Sequence, residues 1–446
     1  MRYEKYKQTG TKWITSIPVS WDMQKIGALF VQRKEKVSDK DFAPISVTKN
    51  GILPQLATAA KTDDGDNRKK VCVGDFVINS RSDRKGSCGV SDLEGSVSLI
   101  NIVLQPREQL SGRYAHYLLR NHLFSEEYYR NGRGIVADLW TTRYSEMKTI
   151  LLPVPPREEQ DQIVRYLDWQ VSKINRLIAA KRKEIALLKE HRTAKINQAV
   201  TTGIHCDTQL AYTGYNWLPY APANWKPVPA KALFRNITEL RRLDDSMLAA
   251  TQKYGLIEQT EYMRLEGRRI VLANDNLDKW LHTEPNDFII SLRSFQGGLE
   301  MCSKPGCVTW HYVVLRSRRN IYPDFYKWFF KSAAYIGALQ KTSDFIRDGQ
   351  DLRFSNFVKV GLFIIPMDEQ REIAEYLNRE IPKYDVAISN LEKQIDQITE
   401  LRTRLISDVV TGQVDVRGIK VPDDEYINNG ITEEEFEEES ENNEEE

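Results

Sequence analysis

The feature that most constrains this chain is that its sequence is written twice. Thr9-Gly10-Thr11-Lys12-Trp13-Ile14, followed by Pro18 and Trp21, returns 204 residues later as Thr213-Gly214-Tyr215-Asn216-Trp217-Leu218, followed by Pro222 and Trp225. Ala28-Leu29-Phe30 returns as Ala232-Leu233-Phe234, and Asp75-Phe76-Val77-Ile78 as Asp287-Phe288-Ile289-Ile290. Arg81-Ser82 matches Arg293-Ser294, and Arg143-Tyr144-Ser145 matches Arg353-Phe354-Ser355. Pro156, Glu159-Gln160, Ile163 and Tyr166-Leu167 match Pro366, Glu369-Gln370, Ile373 and Tyr376-Leu377 at an offset of 210, and Val200-Thr201 with Gly203 echoes Val410-Thr411-Gly412. Seven matches in one order at a nearly constant offset define two copies of one unit, a pattern to be sought before any other.

Each copy reads as a globular part followed by a long helix. The first globular part, residues 1–155, has short β-type runs such as Lys70–Val73, Phe76–Ile78 and Ser98–Leu104, separated by Gly and Asp turns, with a helical stretch at Tyr114–Tyr129. The second, residues 205–365, repeats this with Asp287–Ser291, Val308–Leu315 and a helical Pro323–Gln340. The class is α+β. Pro155-Pro156-Arg157-Glu158-Glu159 then places proline at a first helical turn and carboxylates at the positive dipole end. The seam Leu167, Val171, Ile174, Ile178, Lys181, Ile185, Leu188, Arg192, Lys195, Ala199 steps by four and three, a heptad repeat. Leu377, Ile381, Tyr384, Ile388, Leu391, Ile395, Ile398, Arg402, Leu405, Val409 does the same, although Pro382 is expected to break or kink this helix. Two such helices, at 156–204 and 366–413, are expected to pair as an antiparallel coiled coil that relates the globular parts by a pseudo-two-fold axis. Residues 414–446 read as a separate acidic tail.

Charge looks at first like an argument against nucleic acid, because 63 basic residues balance 63 acidic ones. The balance is uneven. Asp423–Glu446 holds 13 acidic residues and no basic one, so the rest carries 63 basic against 63 − 13 = 50 acidic residues, a body of +13. Such a glutamate-rich run reads as solvated and disordered. Five scattered cysteines suit a reducing cytoplasm rather than a disulfide scaffold. The start reads as no signal peptide, and no run approaches the 18 apolar residues of a membrane helix.

Enzyme signatures are missing from the text of the sequence. There is no G-x-x-x-x-G-K-[ST] loop, no third glycine to complete Gly132-Arg133-Gly134 as a dinucleotide fingerprint, no [DN]-P-P-[YF] of amino-methylating enzymes and no H-E-x-x-H. Pro323-Asp324 with Lys327 lacks the carboxylate–x–lysine element of a nuclease. What remains is basic residues on Gly- and Ser-bearing loops, where the backbone can approach closely and arginine can fork onto phosphate or guanine. These are Arg81, Ser82, Arg84, Lys85, Arg133 and Arg143 in the first copy, and Arg293, Ser294, Gln296, Arg347 and Arg353 in the second. Positions shared by both copies cannot read two different base sequences; they suit fold or phosphate. Base reading is expected where the copies diverge, at Lys49–Lys70 with Lys61, Arg68 and Lys69, and at Gln252–Trp280 with Lys253, Arg264, Arg268 and Arg269.

The order T-G-x-x-W-[IL]-x-x-x-P-x-x-W, a variable stretch, P-x-x-E-Q-x-x-I-x-x-Y-L and a heptad helix, all twice, resembles the specificity (S) subunit of type I restriction–modification systems. The resemblance spans Thr9 to Gly412. It implies two target-recognition domains, each reading one half of a split double-stranded DNA site, with the helices as a ruler between them. It implies no catalytic residue, metal or cofactor in this chain. S-adenosylmethionine, ATP and magnesium would belong to partner subunits: two methyltransferase (M) subunits and restriction/translocase (R) subunits. A self-contained DNA methyltransferase or nuclease, and a coiled-coil scaffold without a DNA role, are the competing readings. The second copy departs from the pattern at Ala221-Pro222-Ala223-Asn224-Trp225, with Pro227 and Pro229 following, and the acidic tail lies outside it.

Overall fold

A computed structural model of the chain describes residues 2–55, 65–134, 140–251, 253–267, 276–291, 294–342 and 352–422. The fold divides into two compact units, one built from residues 1–182 with the chain from 392 onward, the other from residues 183–391.

In the first unit a four-stranded antiparallel sheet is formed by β1 (Phe30–Gln32), β2 (Phe76–Asn79), β3 (Cys88–Val90) and β4 (Asn101–Pro106), in the order β3-β2-β4-β1. Phe30, Phe76, Ile78 and Leu104 from one face pack on α1 (Gly112–Leu119) and α2 (His122–Arg130) through Tyr114, Leu118, Phe124 and Tyr128. Alternate residues Val77 and Val103 face the other way, with Ile45, Val71 and Val97, into a smaller core. This is the period of two expected of a strand with both faces covered. Ser111 and Asn121 cap α1 and α2 by accepting from the Tyr114 and Leu123 amides.

A long helix, α3 (Arg157–Thr202), leaves this part; its first 26 residues belong to the first unit and the rest to the second. The second unit repeats the sheet with β5 (Phe234–Ile237), β6 (Phe288–Ile290), β7 (Glu300–Met301) and β8 (Val313–Ser317) in the order β5-β8-β6-β7. This is the same order when the first sheet is read from β1. The helices α4 (Pro323–Phe330) and α5 (Ala333–Gln340) cover one face with Tyr326, Phe329, Phe330 and Tyr335. The last helix, α6, runs from Met367 to Val410.

Within each unit, segments of α3 and α6 pack antiparallel. In the first, Lys181 Nζ donates to Gln394 at 2.6 Å and Arg402 to Asn175 Oδ1 at 2.8 Å. In the second, Arg192 donates to Asp385 at 2.8 Å, and the Lys195 ammonium lies over the Tyr376 and Tyr384 rings. Every residue of the two heptad seams is buried or half-buried, whereas intervening positions such as Lys183, Leu187, Lys189 and Lys393 are exposed.

Two details differ from the sequence expectation. Pro382 does not end α6, which is continuous for 44 residues, and α3 has 46, about 69 Å at 1.5 Å per residue. Pro382 lies on the exposed face between the buried Ile381 and the half-buried Tyr384, and Asn378, whose carbonyl loses its helical donor to the proline, is exposed as well. The chain after α6 also packs sooner than a tail starting at 414 would. Val416 is fully buried, and Gln162 Nε2 donates to the Val416 and Ile419 carbonyls at 3.0 and 2.7 Å. Residues 423–446 lie outside the described residues.

The repeated Thr-Gly at the helix ends has a backbone reason. Gly203 and Gly412 follow α3 and α6 with φ of 81° and 74°, the left-handed conformation that closes a helix. At Gly412 a Cβ would also come within 2.4 Å of Pro18 and 3.1 Å of Trp21.

Candidate nucleic-acid interface

The residues identical in both copies hold the joint between globular part and helix. Trp21 Nε1 donates to Glu159 Oε1 at 2.9 Å, and Trp225 Nε1 to Glu369 Oε1 at 2.9 Å. Gln160 accepts from the Ser111 amide at 2.8 Å and donates to Pro155 O at 2.9 Å; Gln370 accepts from the Tyr322 amide at 2.8 Å and donates to Ile365 O at 2.8 Å. The W…EQ motif therefore satisfies buried polar groups at a helix start, where amides otherwise lack partners. The shared Asp is structural too. Asp75 and Asp287, both 1% exposed, each cap a turn by accepting from the Cys72 and Glu284 amides, and each takes a forked arginine. That arginine is Arg33 at the end of β1 in one copy and Arg316 on β8 in the other.

Several of the remaining basic candidates lie on loops. In the first copy, the segment at 80–82 meets those at 133 and 140–142. Arg81 bridges to Thr141, Thr141 pairs with Arg133, Ser82 N donates to Trp140 O at 3.1 Å, and Thr142 N donates to Ser80 O at 2.9 Å. This gathers Arg81, Ser82, Arg84, Lys85, Arg133 and Arg143 around one loop cluster. Arg81, Arg84, Arg133 and Arg143 are exposed there. Lys85 pairs with Glu126, and Arg133 comes within 3.9 Å of Glu146, exposed contacts of little energetic weight. Trp140, whose indole donates to Tyr129 O at 2.7 Å, anchors the cluster and was not singled out from sequence, since nothing in its neighbours marks it.

In the second copy Arg353 occupies the same N-cap position before a four-residue helix as Arg143 does, and it too is exposed. Ser294 is buried, its hydroxyl accepting from the Ser291 amide at 2.8 Å. Lys253 lies 4.9 Å from the Tyr254 ring and 3.6 Å from Glu266, and Arg264 is 3.6 Å from Glu261; both are exposed on the divergent stretch. Lys61, Arg268, Arg269, Arg293 and Arg347 lie outside the described residues, as does the side chain of Gln296.

Two candidates on the first divergent stretch have their charged heads held by the protein itself. Arg68 is 6% exposed; its guanidinium donates to Ser96 Oγ at 2.8 Å and Ser96 O at 3.0 Å, and burial lowers its pKa. Lys69 donates to the Leu99 and Asn101 carbonyls at 2.8 and 2.6 Å, with its pKa lowered by burial. Both lie on the strand Arg68–Val71, the middle of a three-stranded sheet between Lys36–Val37 and Gly95–Val97, and their heads are tied to Ser96 and to the Leu99 and Asn101 carbonyls. The divergent stretches also begin alike, which sequence did not show. Ile45–Thr48 pairs with Gly51–Pro54, and Leu248–Thr251 with Gly255–Glu258, and in each a threonine hydroxyl, Thr48 or Thr251, donates to the glycine carbonyl.

The first unit also contains a cleft of about 550 Å³ between α1, the start of α2 and the helix pair, with Arg113, His116, Tyr117, Arg120 and Arg402 in its walls and Lys49 beside them. No local pattern marks it, because its cations come from three separate elements.

These features define a class: a duplicated α+β chain whose two halves are each tied to a paired helix by the same W…EQ joint. No family model matches the chain. It is 19% identical over 401 residues to the putative type I restriction enzyme MjaX specificity subunit of Methanocaldococcus jannaschii, a match covering 87% of each chain. Among solved structures, a chain from a study of complex assembly and conformational transition of the type I R-M system aligns with a TM-score of 0.61 at 14% identity, over 89% of this chain and 99% of that one. The HsdS subunit from Thermoanaerobacter tengcongensis aligns over 89% of this chain and 98% of its own at 15% identity, with a TM-score of 0.49. The resemblance carried by the duplicated motifs is thus borne out: over most of its length the chain is similar to a type I specificity subunit, and it shares the fold of a chain solved in a type I R-M system.

Proposed function

We propose that this chain is the DNA-specificity subunit of a type I restriction–modification complex. The observation that carries the reading is the duplication of the whole unit on a paired-helix frame. Two similar globular parts, each fixed to the frame by the same joint, suit two readers of a split double-stranded DNA site. In this reading residues 1–155 and 205–365 are the target-recognition domains, and α3 and α6 set the distance between half-sites. A stiff helix pair holds a distance that a flexible linker would not, and readers on one side of a duplex need whole turns of about 34 Å between them. Arg81, Arg84, Arg133 and Arg143 in one copy, and Arg353 with Lys253 and Arg264 in the other, contact the backbone or bases. Two M subunits dock on the frame and supply methylation from S-adenosylmethionine; R subunits join them with ATP and magnesium. The chain itself does no chemistry and works in the cytoplasm beside its DNA. No helix among the described residues is long and apolar enough to cross a membrane.

The test is to exchange residues 205–365 for the equivalent part of another specificity subunit and map methylated adenines genome-wide. One half-site changes and the other is kept; a change in the opposite half alone, or in both, sinks the assignment. Inserting about four residues within Ala179–Lys195 lengthens the gap between half-sites, and an unchanged gap refutes the ruler. Purified chain that binds S-adenosylmethionine would favour a self-contained methyltransferase, and absence of any salt-dependent DNA shift would favour a scaffold.

A further inference from the structure

Two tight turns expose large side chains at the same place in both copies. The sequence pattern runs through 98–104 and 308–315 as continuous β-type stretches, but a turn interrupts each. The Asn101 amide donates to the Ser98 carbonyl at 3.0 Å, and the Tyr312 amide to the Thr309 carbonyl at 3.0 Å. The central pairs are Leu99-Ile100 in the first unit and Trp310-His311 in the second. The strand residues just before the turns, Val97 and Val308, are fully buried. Leu99, Ile100 and Trp310 are instead 40%, 38% and 44% exposed, and His311 is exposed beside them.

The backbone does not ask for these residues. No central residue of either turn has a positive φ, so the small polar residues that usually fill turn centres would fit. Large apolar groups left in water forgo the burial that would stabilise them, and adjacent ones mark a contact surface. Here this happens twice, with unlike side chains. Unlike residues at equivalent places are what two readers of different base sequences require.

Both turns are held. Lys69 Nζ donates to the Leu99 and Asn101 carbonyls at 2.8 and 2.6 Å and so clamps the first. In the second unit Leu281 pairs with Val308 as Lys69 pairs with Val97, and Leu281 and Tyr312 both pack on the smaller core of that unit. Trp310 also stacks on His311, with ring centroids 3.7 Å apart. A tip already fixed in this way loses less freedom on making a contact.

The surroundings point to the partner. Asn101 pairs with Asn79 at the end of β2, and Asn79 Oδ1 accepts from the Arg81 amide at 3.0 Å. The Leu99-Ile100 turn thus adjoins the loop cluster that exposes Arg81, Arg84, Arg133 and Arg143. In the second unit Ile290, at the end of β6, pairs with Val313 just after the turn, and the loop with Ser291 and Ser294 follows β6. Apolar tips beside exposed guanidiniums suit a duplex, which carries its charge on the rim of the groove and its apolar base edges within.

We propose that each reader touches the bases of its half-site with this turn, Leu99 and Ile100 in the first unit and Trp310 backed by His311 in the second, by apolar contact with base edges and not with phosphates. The inference rests on the DNA-reading role proposed above. Lys69 acts through the first turn as a positioning residue.

The test uses the full chain with its methyltransferase partners present, and two duplexes of equal length. One carries the site found by mapping methylated adenines, and the other has that site scrambled. Leu99→Ser with Ile100→Ser, and separately Trp310→Ser, are each expected to weaken binding of the mapped duplex roughly tenfold, the scale of one base contact. Binding of the scrambled duplex, and the salt dependence, are expected to stay as they are, because no phosphate contact is lost. Serine suits a turn centre, so the melting temperature is expected to hold. Leu99→Met and Trp310→Phe keep the apolar bulk and are expected to retain most of the affinity. Repeating the methylation map is expected to show the first variant relaxing only the half-site read by residues 1–155, and the second only the other. Serine variants that bind the mapped duplex as the native chain does, or that weaken both duplexes alike with a lower salt slope, overturn this proposal and leave the specificity role standing. A native complex that does not distinguish the two duplexes overturns both.

Discussion

Trp21 donates its indole N–H to Glu159 at 2.9 Å across 138 residues of sequence, and the same oxygen accepts the Tyr3 hydroxyl at 2.6 Å. Glu159 is 7% exposed, at the first turn of α3. A carboxylate here joins the globular part to the helix and sits at the positive end of the helix dipole. Its counterpart Glu369 is more exposed and takes Trp225 and Asn224, both at 2.9 Å.

Glu159→Ala leaves a buried indole N–H and a phenol without their acceptor. The expected cost is about 2–4 kcal/mol, from unmet buried donors at about 1–3 kcal/mol each. Glu369→Ala is expected to cost less, because water reaches its site. Chemical denaturation of the two variants checks the order, and an equal loss would show that the joints are energetically alike.

Asp75 and Asp287 make the same contacts with arginines from different strands. Arg33 reaches Asp75 from β1, and Arg316 reaches Asp287 from β8. Replacing Asp75 by alanine removes the buried carboxylate that holds Arg33, which is expected to cost about 2–3 kcal/mol, less than a fully buried pair; Asp287→Ala is expected to cost less, because Arg316 keeps Glu239 at 3.4 Å. A double-mutant cycle with the partnering arginine gives the coupling, and Asp75 with Arg316 is expected to show none.

His282 gives the second unit a pH dependence. Burial alone lowers its pKa, but Glu284 and Asp245, each 2.9 Å from a ring nitrogen, outweigh it and raise the pKa above the ordinary 6.5. A raised folded-state pKa means that the protonated ring adds stability fully below about 6.5, and that this is lost as pH rises through the folded value. Thermal melts at increasing pH are expected to show that loss, and His282→Gln to flatten it. A melting point that climbs over the same range in the native chain alone contradicts the assignment.

The basic residues divide into two testable groups. Arg81→Ala and Arg143→Ala, on the exposed loop cluster, are expected to weaken DNA binding and reduce the slope of log affinity against log salt by about 1 each, with little change in stability. Arg68→Ala is expected to do the reverse, since its guanidinium is tied to Ser96. Salt-dependent binding curves beside thermal melts separate the two behaviours.

Part of this was readable in the residues. The helix seams followed from period alone, because Leu167, Ile178, Ile185, Leu377, Ile388 and Leu391 bury one stripe whatever they pack against. The loop arginines were readable as candidates but not as a cluster, since Arg81, Arg133 and Thr141 meet only through bridges between distant segments. Arg68 was misleading because a basic residue on a divergent stretch gives no sign of the Ser96 that faces it across a neighbouring strand.

By itself the sequence determined the duplication, the α+β content and the two heptad helices, since repeats and local periodicity are properties of one-dimensional order. Tertiary packing determined what the repeated residues do: that Glu159 and Gln160 bind the helix to the sheet part, that Asp75 and Asp287 recruit arginines from different strands, and that Pro382 is tolerated on an exposed face. It also determined that Arg402 meets an amide where Arg192 meets a carboxylate. Each of these depends on which side chain lies across a strand or helix from another, and that register is set by the closing of the whole core rather than by any neighbour in the chain.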